Sequence, residues 1–103
     1  MMPADVRPDE RILILGAPAA EEAAELARSV PQGLVVVLAD DAAVRVARKA
    51  LVSFLNVMCV PGSAHEIPWR DRFFSRVIDV NGNWEDPARV ANECVRVTAE
   101  SGH

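Results

Sequence analysis

Short apolar runs alternate with amphipathic stretches along this chain, and the alternation predicts its elements. Arg11-Ile12-Leu13-Ile14-Leu15-Gly16, Leu34 to Ala39 and Asn56-Val57-Met58-Cys59-Val60 are apolar without an in/out rhythm. Runs of that kind are strands covered on both faces. Phe73 to Val80 supplies a fourth. Between the first two, Ala20, Ala23, Ala24, Ala27 and Val30 recur at helical spacing, with Pro18 in the first turn and Glu21 and Glu22 at the positive end of the dipole. After the second, Val44, Ala47, Leu51 and Phe54 share one face of a helix from Ala42 to about Phe54, with Asp40 or Asp41 as N-cap. A last helix starts with Asp86 as N-cap and Pro87 at its first position. It buries Val90, Ala91, Cys94, Val95 and Thr98 and stops at Gly102. The order β-α-β-α-β-loop-β-α predicts an α/β, doubly wound, three-layer fold with a short parallel sheet. Residues 1–10 are polar and aperiodic and read as a flexible N-terminal lead-in, leaving residues 11–103 as a single domain.

Composition narrows the range of functions. The chain has 103 residues, with 11 Lys and Arg against 15 Asp and Glu, a net charge of −4. One core fits that length, and a large enclosing cleft does not. An acidic chain without clustered Lys and Arg excludes nucleic acid as an expected partner. No apolar run approaches a membrane span, and Met1 to Glu10 lacks the apolar core of a signal peptide, so no membrane partner and a cytoplasmic location are expected. Cys59 and Cys94 lie too far apart for a CxxC motif and read as buried thiols.

Other chemistry-bearing residues take plain readings. His65 stands next to Glu66, the only other histidine is His103, and no metal set at ligand spacing exists. His65 is therefore expected at the surface. Trp69 and Trp84 are expected to seal loops onto helices, with a pocket wall as the other option. Arg70, Arg72 and Arg76 beside Asp71 read as a solvated, partly paired surface.

In parallel sheets of this kind ligands bind beyond the C-terminal strand ends. Here those ends carry Gly16 to Ala20, Asp40-Asp41, Gly62 to His65 and Asn81 to Trp84. With these loops in that order, the chain resembles class I S-adenosylmethionine-dependent methyltransferases of the small-molecule, type 11-like kind. The likeness is carried by Asn56-Val57, Gly62-Ser63-Ala64, Ile67-Pro68-Trp69, Phe74 to Val80 and Glu85-Asp86-Pro87-Ala88-Arg89-Val90 through Val95-Arg96-Val97. A receiver-like domain fits poorly, because Gly16-Ala17 and Pro61-Gly62 stand where its acids belong.

The resemblance implies a Rossmann-like sheet of order 3-2-1-4 and S-adenosylmethionine as cofactor, with Gly16, Asp40, Ser63 and Ala64 at the cofactor-binding positions and Asn81 nearest a methyl acceptor. Departures accompany it. Ile14 stands where the family has an acid, and Pro18 replaces the second glycine of Gly16-Ala17-Pro18-Ala19-Ala20, removing an N–H donor and adding bulk. Ser63 replaces an acid. Relative to the family's seven strands the chain is truncated after strand 4, which leaves that strand an edge with Phe74, Val77, Ile78 and Val80 uncovered. Such an edge recruits another chain. The reading is a methyltransferase-like domain that has lost catalysis and acts as a homodimer through strand 4. The alternative is a methyltransferase, minimal or completed by a partner chain that supplies the missing strands.

Overall fold

The computed structural model describes residues 6–16, 20–80 and 84–99. Four strands, β1 (Arg11–Leu15), β2 (Leu34–Ala39), β3 (Val57–Pro61) and β4 (Arg76–Asp79), alternate with helices α1 (Ala20–Ser29), α2 (Asp41–Ala50) and α3 (Pro87–Val97). All pairings are parallel and the order is β3-β2-β1-β4. The doubly wound class and the 3-2-1-4 order are thus those expected.

The apolar runs lack alternation because both faces are covered. Ile12, Ile14, Val35 and Val37 pack with Ala23, Leu26, Ala27 and Val44 on the α1/α2 side. Leu13, Leu15, Val36 and Leu38 pack with Phe74, Val90 and Val97 on the α3 side. Asp40 caps α2 by accepting from the Ala43 N–H at 2.8 Å. Asp86 caps α3, with Pro87 in its first turn.

Boundaries depart from the expectation in three places. Helix α3 ends at Val97 with Thr98 as its C-cap, ahead of Gly102, and Ala91 and Val95, expected on its buried face, are exposed. Helix α2 ends at Ala50, where Leu51 caps it and the chain turns, although Leu51 and Phe54 still face the core. Strand β4 begins at Arg76, not Phe73, because the Phe74 backbone bonds to Val97 and Ala99 and not to β1. Its ring is fully buried on the α3 side, 5.4 Å from the Trp69 ring, and its backbone bridges Thr98. Phe74 is therefore a core residue and not part of an exposed edge. Val77 and Ile78 are half-buried, and Val80 is exposed.

The chain meets the core ahead of Arg11. Val6 packs on the α1/α2 cluster. Glu10 is buried and accepts from the Arg76 guanidinium, the Ser75 hydroxyl and the Arg7 N–H. Burial pushes this carboxyl up, but the bonds and charge of Arg76, with those from Arg7 and Ser75, outweigh it and hold the pKa below the usual range. A group depressed on folding stabilises above its unfolded pKa, and the contribution fades as pH falls through the folded value. Unfolding free energy should therefore drop as pH falls below the carboxyl's ordinary value of 4.5, and Glu10→Gln should flatten that slope in urea titrations across pH.

The expected arginine surface is divided among separate partners. Arg76 pairs with Glu10 at 3.1 Å, Asp71 pairs with Arg96 at 2.7 Å, and Arg70 lies over the Phe73 ring. Arg96 also binds Glu93 and the carbonyls of Ile67 and Trp69, which ties the loop before β4 to α3. Glu93 takes the Ile67 N–H in return. Cys59 is buried and Cys94 half-buried, and burial raises both thiols.

The two sheet edges differ. On β3 the register turns the backbone groups of Val57, Cys59 and Pro61 outward. Arg48 caps the Cys59 carbonyl through Nε and Nη2, at 3.2 and 2.9 Å, and Pro61 has no N–H to offer. This edge is blocked. On β4, Val80 donates to the Leu15 carbonyl in the register that sets Leu15 opposite Asp79, so Arg76 and Ile78 bond to β1 and Val77 turns its backbone groups outward, where no described strand meets them. One rung ahead, Phe74 donates to the Val97 carbonyl and accepts from the Ala99 N–H, so the chain after α3 runs onto this edge in parallel.

Candidate functional site

At the C-terminal ends of β1, β2 and β3 lies a groove of about 430 Å³, lined among others by Gly16, Asp40, Ala43, Gly62, Ser63, Ala64, His65 and Trp84. Topology builds it. Each strand ends at the same level, and the chain turns outward from each end, so residues far apart in sequence converge.

Gly16 leaves β1 with φ of 104°, a conformation that strains any residue with a Cβ, and its N–H binds the Leu38 carbonyl at 2.9 Å. Asp40 is exposed, and the Ala43 N–H is the only hydrogen bond its carboxylate takes among the described residues. One carboxylate oxygen therefore caps α2, and the other takes no hydrogen bond among the described residues. Both readings of Asp40, helix cap and ligand acceptor, are compatible in one side chain. Asp40→Ala should cost about 1 kcal/mol of stability through the lost cap. Asp40→Ser should cost almost none, because a hydroxyl caps comparably; thermal melts of the two variants check this.

Ser63 and His65 form a local unit. The Ser63 hydroxyl accepts the His65 N–H at 3.1 Å and lies 3.2 Å from the ring Nδ1. The ring Nε2 meets the Glu85 carbonyl. A carbonyl only accepts, so Nε2 carries a proton. In the neutral ring Nδ1 then receives the Ser63 hydroxyl hydrogen, which leaves the Ser63 oxygen an acceptor toward the groove. The His65 ring meets the Trp84 indole edge to face at 6.2 Å, and Trp84 Nε1 donates to Asp79 at 2.7 Å.

All four residues placed at cofactor positions, Gly16, Asp40, Ser63 and Ala64, line this one groove. Ala17, Pro18, Ala19, Asn81, Gly102 and His103 lie outside the described residues. Two lining residues were read differently from sequence. His65 is half-buried in the groove wall, because its ring is held between Ser63 and Glu85, 20 residues away. Trp84 walls the groove, whereas Trp69 seals the α3 side against Phe73 and Phe74. The available signal for both was position in a loop at the C-terminal strand ends.

The arrangement offers acceptors at Asp40 and Ser63, a close-approach backbone at Gly16 and an indole wall. That set suits a polar, hydroxyl-bearing ring system. Among the described residues no group of three or more His, Cys, Asp or Glu could hold a metal, and no helix is long and apolar enough to cross a membrane.

Residues 13–103 match the family described as "Methyltransferase domain". Among curated proteins no sequence matches. Solved structures match closely in fold. The YcgJ protein of Bacillus subtilis aligns at a TM-score of 0.78 with 22% identity, over 93% of this chain and 42% of that one. A candidate S-adenosyl-L-methionine-dependent methyltransferase of Methanococcus maripaludis aligns at 0.79 with 18% identity, over 88% of this chain and 44% of that one. The Haloferax volcanii complex of the Trm112 methyltransferase activator with a candidate methyltransferase aligns at 0.75 with 14% identity, over 92% and 43%. The chain therefore spans less than half the length of the structures it matches.

Proposed function

The chain belongs to the methyltransferase-domain family, and from that premise we propose that it works by association, pairing a second copy along β4, and does not transfer methyl groups by itself. The observation that carries this reading is the asymmetry of the sheet edges. Arg48 and Pro61 block β3, while the outward backbone groups of Val77 on the edge strand β4 meet no described strand. Proteins guard edges they keep free and leave open those they pair. Closed two-fold pairing of β4 with β4 gives an eight-stranded sheet. Catalysis requires donor and acceptor held in line at about 3–3.5 Å, and Ile14, Pro18 and Ser63 stand where the resemblance calls for an acid, a glycine and an acid to hold the donor.

Light scattering on the purified chain should give at least twice the mass of one copy. The amide hydrogen of Val77 should exchange slowly. Val77→Pro removes an outward N–H without touching the ladder to β1, and it should halve the mass. A wild-type monomer with this amide exchanging freely would sink this reading.

A second reading is favoured by a different observation, the convergence of the four family positions on one groove. Here the chain is a methyltransferase, minimal or completed by a partner chain whose strands continue β4 from the Phe74–Thr98 rung. Asp40 would hold the ribose hydroxyls of S-adenosylmethionine, Ser63 would accept from the adenine amino group, and Gly16 would let backbone approach the amino-acid end. The bound cofactor would supply an electrophilic methyl group. The Trm112 complex is a case of such a fold with a partner. Calorimetry separates the readings: micromolar binding that Asp40→Ser weakens at least tenfold supports the enzyme, and no heat at millimolar cofactor supports the binding module.

A further inference from the structure

The outer face of α1 and α2 is charged in a way that neither the groove nor the β4 edge uses. Residues 42–65 contain Arg45, Arg48 and Lys49 and no Asp or Glu, in a chain whose net charge is −4. Arg45 and Lys49 are exposed one turn apart on α2. Apolar side chains stand beside them in solvent: Val46 is 70% exposed, Val52 79% and Leu55 101%. On α1 the exposed residues Glu21 and Glu25 carry the opposite sign. A groove of about 550 Å³ separates the helices, with Ala24, Ala50 and Phe54 at its base and Glu21 and Glu25 on its rim.

We propose that this face binds a second copy of the same chain, with the two-fold axis along the groove, so that α1 of each copy lies over α2 of the other. Both helices start from the C-terminal edge of a parallel sheet and run the same way. Rotation about an axis along them exchanges the helices without reversing them. Glu25, sixth in α1, then stands at the height of Arg45, fifth in α2. The contact is made twice by symmetry. An axis across the helices would set acid on acid. Arg28, the cation on α1, lies over the Phe54 ring at 5.6 Å, which draws it toward the groove. Val52 and Leu55 extend the contact beyond the end of α2 and give it an apolar component that salt does not screen. An anionic lipid surface is a poorer fit, since Glu21 and Glu25 would face it alongside the arginines.

Sedimentation velocity on the full chain tests this, in the wild type and in Val77→Pro, which removes pairing at β4. In the Val77→Pro background the mass should be that of two copies and fall by half with Arg45→Glu plus Lys49→Glu. Adding Glu21→Lys and Glu25→Lys should restore it. All four positions are exposed, so circular dichroism should stay unchanged. Should Val77→Pro fail to fold, Leu55→Asp in the wild type gives the second measurement, an expected halving of the mass. The proposal fails if the mass ignores the charge reversals and Leu55→Asp, or falls without restoration by the compensating pair. It also fails if the chain sediments with phosphatidylserine vesicles through Arg45 and Lys49 while its own mass is indifferent to them. A loss of mass from Val77→Pro alone, with no response on α2, would support pairing at β4 and overturn this contact.

Discussion

Phe74→Ala should lower the unfolding free energy by about 3–5 kcal/mol, a large share of the roughly 5–15 kcal/mol that a domain of this size commands. The ring is fully buried, wedged between the Phe73 ring at 5.0 Å and the Trp69 ring at 5.4 Å, in the cluster that joins β1 and β2 to α3. Truncation removes the apolar area and leaves a cavity that these neighbours cannot fill, because Trp69 is tied through its carbonyl to Arg96. The backbone bonds of Phe74 to Val97 and Ala99 survive, so the loss is one of packing. Urea unfolding followed by tryptophan fluorescence reads it directly, since Trp69 is the reporter. Phe73→Ala is the contrast: this half-buried ring lies beneath Arg11 and Arg70 at the surface, and its loss should cost about 1 kcal/mol.

Gly33→Ala should be comparably damaging, at about 3 kcal/mol or more. A Cβ at this position would sit 2.0 Å from the Glu10 carbonyl oxygen and 3.0 Å from its carbon. Those are backbone atoms and cannot rotate away. The same carbonyl accepts the Leu34 N–H at 3.1 Å and so starts the β1–β2 pairing. Moving it strains that bond and, through the Glu10 carboxylate, the contacts to Arg76 and Ser75. Thermal melts at neutral pH should show a fall of roughly 10 °C or more. The variant should also lose part of the acid sensitivity that Glu10 confers, because its carboxylate no longer sits squarely on Arg76.

The elements that sequence placed well are those whose signal is local. The runs at β1, β2 and β3 are legible because burial on both faces removes polar residues altogether. Asp40 and Asp86 are legible as caps because capping is decided within three residues. The four positions Gly16, Asp40, Ser63 and Ala64 were within reach too, since a parallel sheet delivers every strand end to one side. What sequence missed depended on partners far along the chain. Phe74 reads as strand because it is apolar and adjoins a β-branched run, and only the approach of Val97 and Ala99 pulls it out of the sheet. His65 reads as a surface residue because its second hydrogen-bond partner, Glu85, lies 20 positions later.

By itself, then, the amino-acid sequence determined the doubly wound class, the family resemblance and the residues that meet at the strand ends, because each follows from periodicity, caps and short-range spacing. Only the tertiary structure decided which sheet edge is blocked and which is open. Whether the carbonyl of Cys59 is capped by Arg48, or the backbone of Val77 is left facing outward, depends on strand register and on a helix packed beside it. Those are long-range arrangements that no window of sequence contains.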